Sequence, residues 1–147
     1  MTDASPITRK TWMAALAKAP PARLAVLLPD IPPHTVLRQP EIGAVMVRGR
    51  VGATGAAFNL GEMTVTRASV RLETGEVGHA WVRGRDRGHA LRAAVVDALM
   101  QTTRADHLRT QLLNPLQDEA LSTRTARVGK ALATKVDFFT MVRGEDK

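Results

Sequence analysis

Arginines are the side chains in this sequence with the clearest chemical use. From position 38 to position 92 the basic residues, histidine aside, are all arginines: Arg38, Arg48, Arg50, Arg67, Arg71, Arg83, Arg85, Arg87 and Arg92. A guanidinium group can pair with phosphate or carboxylate through two parallel hydrogen bonds, whereas lysine acts as a point charge. The segment is therefore predicted to contact anions or an acidic partner, and the alternative is a solvated basic face of a sheet.

The run Arg83-Gly84-Arg85-Asp86-Arg87-Gly88 lies where a strand is predicted to end and a helix to begin. Free amides and arginine side chains converge at such a helix N-terminus, which favours an anion. Asp86 competes for the same amides as an N-cap, and His89 is placed to cap the helix or contact an anion. Phosphate contact and subunit contact both remain open, and the candidate contact residues are Arg67, Arg71, Arg83, Arg85, Arg87 and His89.

Other catalytic chemistry finds no support in the residue spacing. The four histidines (His34, His79, His89 and His107) include no i, i+4 pair, and H-E-x-x-H does not occur, so no metal site is expected. Ser5, Ser69 and Ser122 lie in no G-x-S-x-G elbow. Of the acidic pairs, Glu73/Glu76 flanks a turn and Asp118/Glu119 opens a helix. No catalytic residue is assigned, and His79 beside Trp81 is predicted to be a packing residue.

Composition limits the function classes further. The chain has 147 residues, a net charge of +7 and no cysteine, which favours one domain with anionic partners and excludes thiolate or cluster ligands. Five aromatic residues and no RNP-like sequence argue against base stacking, but a small nucleic-acid-binding module remains the alternative function. With no apolar run of about 20 residues and no signal-peptide pattern, a cytoplasmic location is expected.

Two short helices are predicted before the strands. Thr8 can cap a helix over residues 8–19, in which Trp12, Leu16 and Ala19 share a face. Pro20 and Pro21 end it, and Pro21 suits the first turn of a second helix with Leu24, Leu27 and Leu28 on its apolar face. Three further prolines, at positions 29, 32 and 33, end that second helix.

The middle of the chain predicts an antiparallel meander. Residues 42–51 alternate, with Val45, Val47 and Val51 on one side. Gly52, Gly55 and Gly61 indicate a turn region. The run 62–72 changes phase near Thr66, which indicates a bulge or burial on both faces. Residues 73–76 form a hairpin connection, and a strand returns from Val77.

Helices follow the strands. Asp86 is the predicted N-cap of a helix that runs to about Arg104, with an apolar path at Leu91, Ala94, Val95, Ala98, Leu99 and Thr102. A later helix after Pro115 carries Leu121, Val128 and Leu132 on one stripe. The predicted class is α+β, an antiparallel β-sheet meander flanked by N-terminal and C-terminal helices, with a terminal strand or extended arm.

The end of the chain is unusually apolar for a terminus. Residues 136–143 alternate, and Phe138, Phe139, Met141 and Val142 fall within five positions. Aromatic residues and Met are favoured interface anchors, so the segment is predicted to be a docking arm for a partner. The alternative, a last strand of the domain's own sheet, is equally compatible with the pattern.

Three stretches together carry a family resemblance. They are residues 54–68 with Gly61-Glu62-Met63-Thr64-Val65-Thr66-Arg67-Ala68, residues 78–101 with Trp81-Val82-Arg83-Gly84-Arg85-Asp86 and Val96-Asp97-Ala98-Leu99-Met100-Gln101, and Lys135-Val136-Asp137-Phe138-Phe139-Thr140-Met141-Val142-Arg143-Gly144. With Trp12 and the total length, they make the chain resemble the PhnG family, the G subunits of bacterial carbon-phosphorus lyase. The resemblance implies a single PhnG-like domain over residues 1–147.

The resemblance also implies a function and partners. Such subunits belong to a cytoplasmic core complex of G, H, I and J subunits that acts with an ATP-binding-cassette-like L partner to obtain phosphate from organophosphonates. The complex transfers the ribose 5-triphosphate of MgATP to an alkylphosphonate and releases adenine. No catalytic residue is carried over from the family, so the expected role is a non-catalytic or accessory subunit that binds no cofactor by itself.

Overall fold

A computed structural model describes residues 8–136 of the chain. Two helices, α1 (Arg9–Lys18) and α2 (Pro21–Leu27), precede three strands, β1 (His34–Gly49), β2 (Phe58–Leu72) and β3 (Val77–Arg83). The helices α3 (Arg87–Leu99), α4 (Ala105–Leu108) and α5 (Asn114–Ala133) follow. A 3-10 turn (Val51–Ala53) separates β1 from β2, and a π-helical turn (Arg109–Leu113) joins α4 to α5.

The three strands form one antiparallel sheet in the order β1-β2-β3, which confirms the meander and the α+β class. The predicted connection at residues 73–76 joins β2 to β3, and Gly75 occupies a positive φ of 107° there. The docking residues Phe138, Phe139, Met141 and Val142, and the predicted terminal strand, lie outside the described residues.

Helix α3 is the centre of the core. One face of the sheet, its inner face, presents Ala68, Val70 and Val82, and α3 is buried along nearly all of its length. Helices α1 and α2 pack against α3, and α1 also contacts β3. Leucines from α1, from α2 and its C-cap, from the segment between α3 and α5, and from the first turn of α5 complete the cluster: Leu16, Leu24, Leu28, Leu108, Leu112, Leu113 and Leu116.

Strand β1 is longer than the alternation predicts. It begins at His34 instead of Ile42, includes Pro40 and ends at Gly49, so Val51 lies in the 3-10 turn and not in the strand. Because β1 is an edge strand, Pro40 can occupy it without breaking the ladder, and the pairing shifts register on both sides of Arg38. Gly61, expected in a turn, lies inside β2.

The phase change in β2 comes from burial on both faces. Val65 and Thr66 are consecutive and both buried, while their pairing with β3 stays in register, Val65 with Arg83 and Thr66 with Val82. The continuous register excludes a bulge at Thr66. Thr66 lies on the inner face, and its hydroxyl donates to the Gly84 carbonyl at 2.8 Å.

Helix starts agree with the sequence, but one helix end does not. The Thr8 hydroxyl accepts from the Thr11 amide at 3.4 Å, and α2 has a proline in its first turn. Helix α3 ends at Leu99, not near Arg104. The Thr102 hydroxyl donates to the Leu99 carbonyl at 2.6 Å, a local hydrogen bond of the kind that competes with helix continuation.

Helix α5 projects from the core. Leu116 is its one buried residue, and every residue from 118 to 136 is exposed. The predicted apolar stripe is therefore not packed against the described part of the chain, since Leu121, Val128 and Leu132 are 64%, 52% and 66% exposed. Among residues 8–136 there is no helix with the length and apolarity to cross a membrane.

Candidate functional site

The face of the sheet opposite α3 brings together four of the chain's arginines. Residues directly opposite one another in neighbouring strands share a face, and the register aligns Arg38 with Ser69 and His79, and Glu41 with Arg67 and Trp81. Alternation along β2 and β3 adds Arg71 and Arg83 to the same face. We call this surface the arginine face: Arg38, Glu41, Arg67, Ser69, Arg71, His79, Trp81 and Arg83.

Glu41 organises the centre of the arginine face. Its Oε2 accepts hydrogen bonds from Arg67 Nε at 3.0 Å and from Arg38 Nη1 at 3.1 Å, and it lies 2.9 Å from Arg67 Nη2 in an ion pair. The hydrogen bonds from Arg67, and then those from Arg38, lower the pKa of the Glu41 carboxyl. Arg67 also lies over the Trp81 ring, with its Cζ 5.6 Å from the ring centroid, a cation–π contact. The carboxylate thus fixes two guanidinium groups beside an exposed indole.

The rest of the arginine face is positively charged and open. Four arginines face one carboxylate, and within residues 8–136 neither Arg71 nor Arg83 forms an ion pair. Both are exposed. Guanidinium groups without a protein carboxylate are available to phosphate or to acidic side chains of another chain. The candidate residues Arg67, Arg71 and Arg83 are therefore brought together on one surface.

Ser69 and His79 form a pair that the sequence search missed. Ser69 Oγ lies 2.8 Å from His79 Nδ1 across the β2–β3 pairing, so His79 is not the simple packing residue that was predicted. A hydroxyl beside an imidazole resembles an activated nucleophile, but such a base is normally oriented by a third group. Among the described residues no carboxylate contacts the His79 ring. Ser69 and His79 lie ten positions apart on the two sides of the predicted connection at residues 73–76. That spacing was the sequence signal that they face each other across the hairpin.

Arg85 in the loop after β3 and Arg87, the first residue of α3, are both exposed. Asp86 is the N-cap, and its Oδ1 accepts from the His89 amide at 2.8 Å. Its carboxylate takes the place that an anionic ligand would occupy at this helix N-terminus. Any anion contact here therefore depends on the arginine side chains and not on the free amides of α3.

His89 does not lie at the surface. It is 2% exposed, and its Nε2 donates to the Leu16 carbonyl at 2.8 Å, linking α3 to α1. Burial lowers the pKa of the imidazole, which favours the neutral form. The expectation that His89 contacts an anion does not fit this placement, because its ring is enclosed by the core.

Asp97 is a buried carboxylate in the middle of α3, with 0% of its surface exposed. It accepts from Arg9 Nε at 3.1 Å and Nη2 at 2.7 Å, from Trp12 Nε1 at 2.9 Å and from the His79 amide at 2.8 Å. The hydrogen bond to Asp97 raises the pKa of Arg9. Because Asp97 is fully buried beneath these donors, it joins α1, α3 and β3 and does not face a surface where substrate could bind. An acid within the otherwise apolar second half of α3, residues 93–99, was the sequence signal.

Taken together, these surfaces are better suited to contact with anions than to catalysis. Among residues 8–136 no group of three or more His, Asp or Glu side chains is arranged to hold a metal ion. Arginines that are fixed by Glu41 or left without an ion pair can orient a phosphate or a carboxylate. A base with its orienting group, which hydrolysis or transfer would need, is not formed by the described side chains.

Comparison with known proteins places these features in context. Residues 7–144 match the family described as phosphonate metabolism protein PhnG. The chain is also 44% identical, over 148 aligned residues, to the protein named alpha-D-ribose 1-methylphosphonate 5-triphosphate synthase subunit PhnG from Rhizobium meliloti (strain 1021). That alignment covers 98% of this chain and 94% of the relative.

Proposed function

Because the chain belongs to the PhnG family of phosphonate metabolism proteins, we propose that it is an accessory subunit of α-D-ribose 1-methylphosphonate 5-triphosphate synthase. The observation that supports this most is the 44% identity along nearly the whole length of both chains. In this role the chain supports transfer of the ribose 5-triphosphate of ATP to an alkylphosphonate, with release of adenine. The family and the relative favour this function over nucleic-acid binding.

The proposed partners are the other carbon-phosphorus lyase subunits, I, H and J, and the ATP-binding-cassette-like L protein, in the cytoplasm. A subunit role agrees with the exposed surfaces of the described region, an arginine face and a helix α5 that leaves the core. MgATP is proposed as a substrate of the whole complex, and no cofactor is assigned to this chain alone.

The arginine face is the proposed point of contact with anions. It serves either the triphosphate and phosphonate groups of the substrates or carboxylates of a neighbouring subunit, since guanidinium groups pair well with both. Its Ser69–His79 pair adds a hydroxyl and an imidazole to the same surface. The described chemistry supports binding and orientation by this chain, while bond breaking belongs to another subunit.

The test is a reconstitution in which one component is omitted. Adenine release from ATP and methylphosphonate is followed with all subunits present, without this chain, and with this chain alone. We expect no release by the chain alone, because it lacks an oriented base and nucleophile, and loss of release when it is omitted. Addition of the purified chain should restore the rate. Sustained turnover by the chain alone, or an unchanged rate without it, would contradict the proposal.

A further inference from the structure

Strand β3 has one free edge, and the pairing with β2 shows which backbone groups face it. The Gly84 amide donates to the Thr64 carbonyl and the Leu72 amide to the Glu76 carbonyl, each at 2.9 Å. In an antiparallel ladder the hydrogen-bonded pairs alternate, so Gly78, Ala80 and Val82 bond to β2. The amides and carbonyls of the odd-numbered residues point away from the sheet.

The beginning of that edge is closed by side chains. The His79 amide donates to Asp97 Oδ2 at 2.8 Å, and the Val77 carbonyl accepts from Gln101 Nε2 at 2.8 Å. Within residues 8–136 no side chain bonds to the outward backbone groups of Trp81 and Arg83. Natural proteins usually cover or block a free edge because it is a template for another strand. In β3 the side-chain hydrogen bonds that block the edge end at His79, so the edge at Trp81 and Arg83 is left open.

A groove runs beside the unblocked half of the edge. It is a cavity of about 320 Å³ between α1 and β3, lined by Met13, Ala14 and Ala17 on one side, residues 79–82 on the other, and Ala93 at its base. The helix residues that line it are small or flexible and apolar. A strand added to β3 would direct alternate side chains into this groove and the others toward the arginine face.

The arginines beside the open edge and the apolar lining of the groove indicate what kind of strand would bind there. Arg83 lies on the open edge, Arg67 stacks on Trp81 beside it, and Arg85 and Arg87 follow. We propose that the free edge of β3 from Trp81 to Arg83 binds an extended strand of another subunit of the synthase. Apolar side chains of that strand enter the α1–β3 groove, and acidic side chains face the arginines. This inference rests on the proposed function as one subunit of an assembly.

A second copy of this chain is a poor occupant. The outward residues of its own β3 edge are His79, Trp81 and Arg83, which include no acid, so pairing two such edges would bring arginines together. An acidic strand removes that repulsion and forms guanidinium–carboxylate pairs instead.

Hydrogen exchange of the full-length wild-type chain tests the inference without mutation. We expect the amides of Trp81 and Arg83 to exchange freely in the isolated chain and at least about tenfold more slowly in the assembled complex. Unchanged exchange in a complex that does form would overturn the inference and leave the proposed function intact. Protection already present in the isolated chain would also overturn it, because another part of this chain would then cover the edge. Failure to assemble would overturn both proposals.

Matched variants test the backbone and the groove separately. Trp81→Pro and Trp81→Val both remove the indole, but only proline removes the outward amide, and proline is tolerated on an edge strand. We expect Trp81→Pro to weaken assembly about tenfold or more relative to Trp81→Val. Ala14→Phe should fill the groove and weaken assembly similarly, whereas Lys18→Phe, on the same helix but outside the lining, should not. Equal behaviour within each pair would overturn the inference.

Discussion

Asp97 shows how a single residue can determine the packing of several elements. It is buried, and its partners Arg9 and Trp12 lie more than 80 positions away in the sequence. A buried carboxylate is stable only when charged or polar donors satisfy it. The sequence alone shows an acid inside the apolar half of a helix and a tryptophan in the first helix, but not that they meet, because the contact depends on how α1 lies across α3 and β3.

Replacement of Trp12 by phenylalanine measures that contact. The change keeps an aromatic ring in the core but removes the Nε1 donor, which lies 2.9 Å from Asp97 Oδ1. Loss of a hydrogen bond to a buried charge should lower the free energy of unfolding by about 1–3 kcal/mol. The control is Trp81→Phe on the exposed arginine face, whose free energy of unfolding is expected to stay within about 0.5 kcal/mol of wild type. Chemical denaturation compares the two variants, and equal losses would show that Asp97 does not depend on Trp12.

His89 makes stability depend on pH. Burial lowers its pKa in the folded chain below the ordinary 6.5, so the unfolded chain takes up the proton first as pH falls. The free energy of unfolding should therefore decrease from pH 7 to pH 5. His89→Gln, which keeps a donor for the Leu16 carbonyl and does not titrate, should lose less over the same interval. Denaturation of both proteins at each pH measures the difference, and parallel pH profiles would contradict this assignment.

At the scale of elements, local signals predicted where helices begin, and long-range packing decided where strands and helices end. The Thr8 and Asp86 caps, Pro21 and Gly75 act within a few residues, so the sequence shows them directly. The first half of β1 was missed because Pro40 is unfavourable in most strands, and its acceptance depends on the edge position of β1. The exposure of the α5 stripe was missed because periodicity predicts an apolar face but not what covers it.

Gly78 controls the approach of α3 to β3. A Cβ atom at this position would lie 1.9 Å from the Ala94 carbonyl oxygen and 2.6 Å from the Ala98 amide nitrogen, so helix and strand would have to separate. We expect Gly78→Ala to cost more than about 4 kcal/mol or to prevent folding.

Gly43→Ala is the control for Gly78→Ala, because a Cβ at Gly43 meets nothing within 4 Å. It should change stability by less than about 1 kcal/mol. Thermal unfolding of both variants tests the close approach, and a Gly78→Ala protein as stable as the Gly43→Ala protein would contradict it.

At the scale of the whole molecule, one side of the sheet forms the core and the other forms a charged surface. The arginine content of residues 38–92 predicted contact with anions, but not that Arg67, Arg71 and Arg83 share one face, which follows from the register of β2 and β3. His89 was assigned to the same surface because it follows Asp86 closely, yet the helical turn directs it into the core. The sequence thus showed which side chains have the chemistry to contact anions, but not which of them share a face.

The most direct test of this account is adenine release by the reconstituted synthase carrying Arg67→Gln, Arg71→Gln and Arg83→Gln together. The control replaces Lys10, Lys18 and Arg104 by glutamine, three exposed basic residues that lie neither on the arginine face nor on α5, and removes the same charge. We expect the first protein to fold normally, since exposed ion pairs contribute about 0–1 kcal/mol, and to lower the rate about tenfold or more, while the control stays near wild type. If the arginine-face variant no longer assembles, the face contacts a partner subunit. If it assembles but needs more ATP for the same rate, the face contacts substrate. Wild-type assembly and wild-type adenine release by the arginine-face variant would contradict the account.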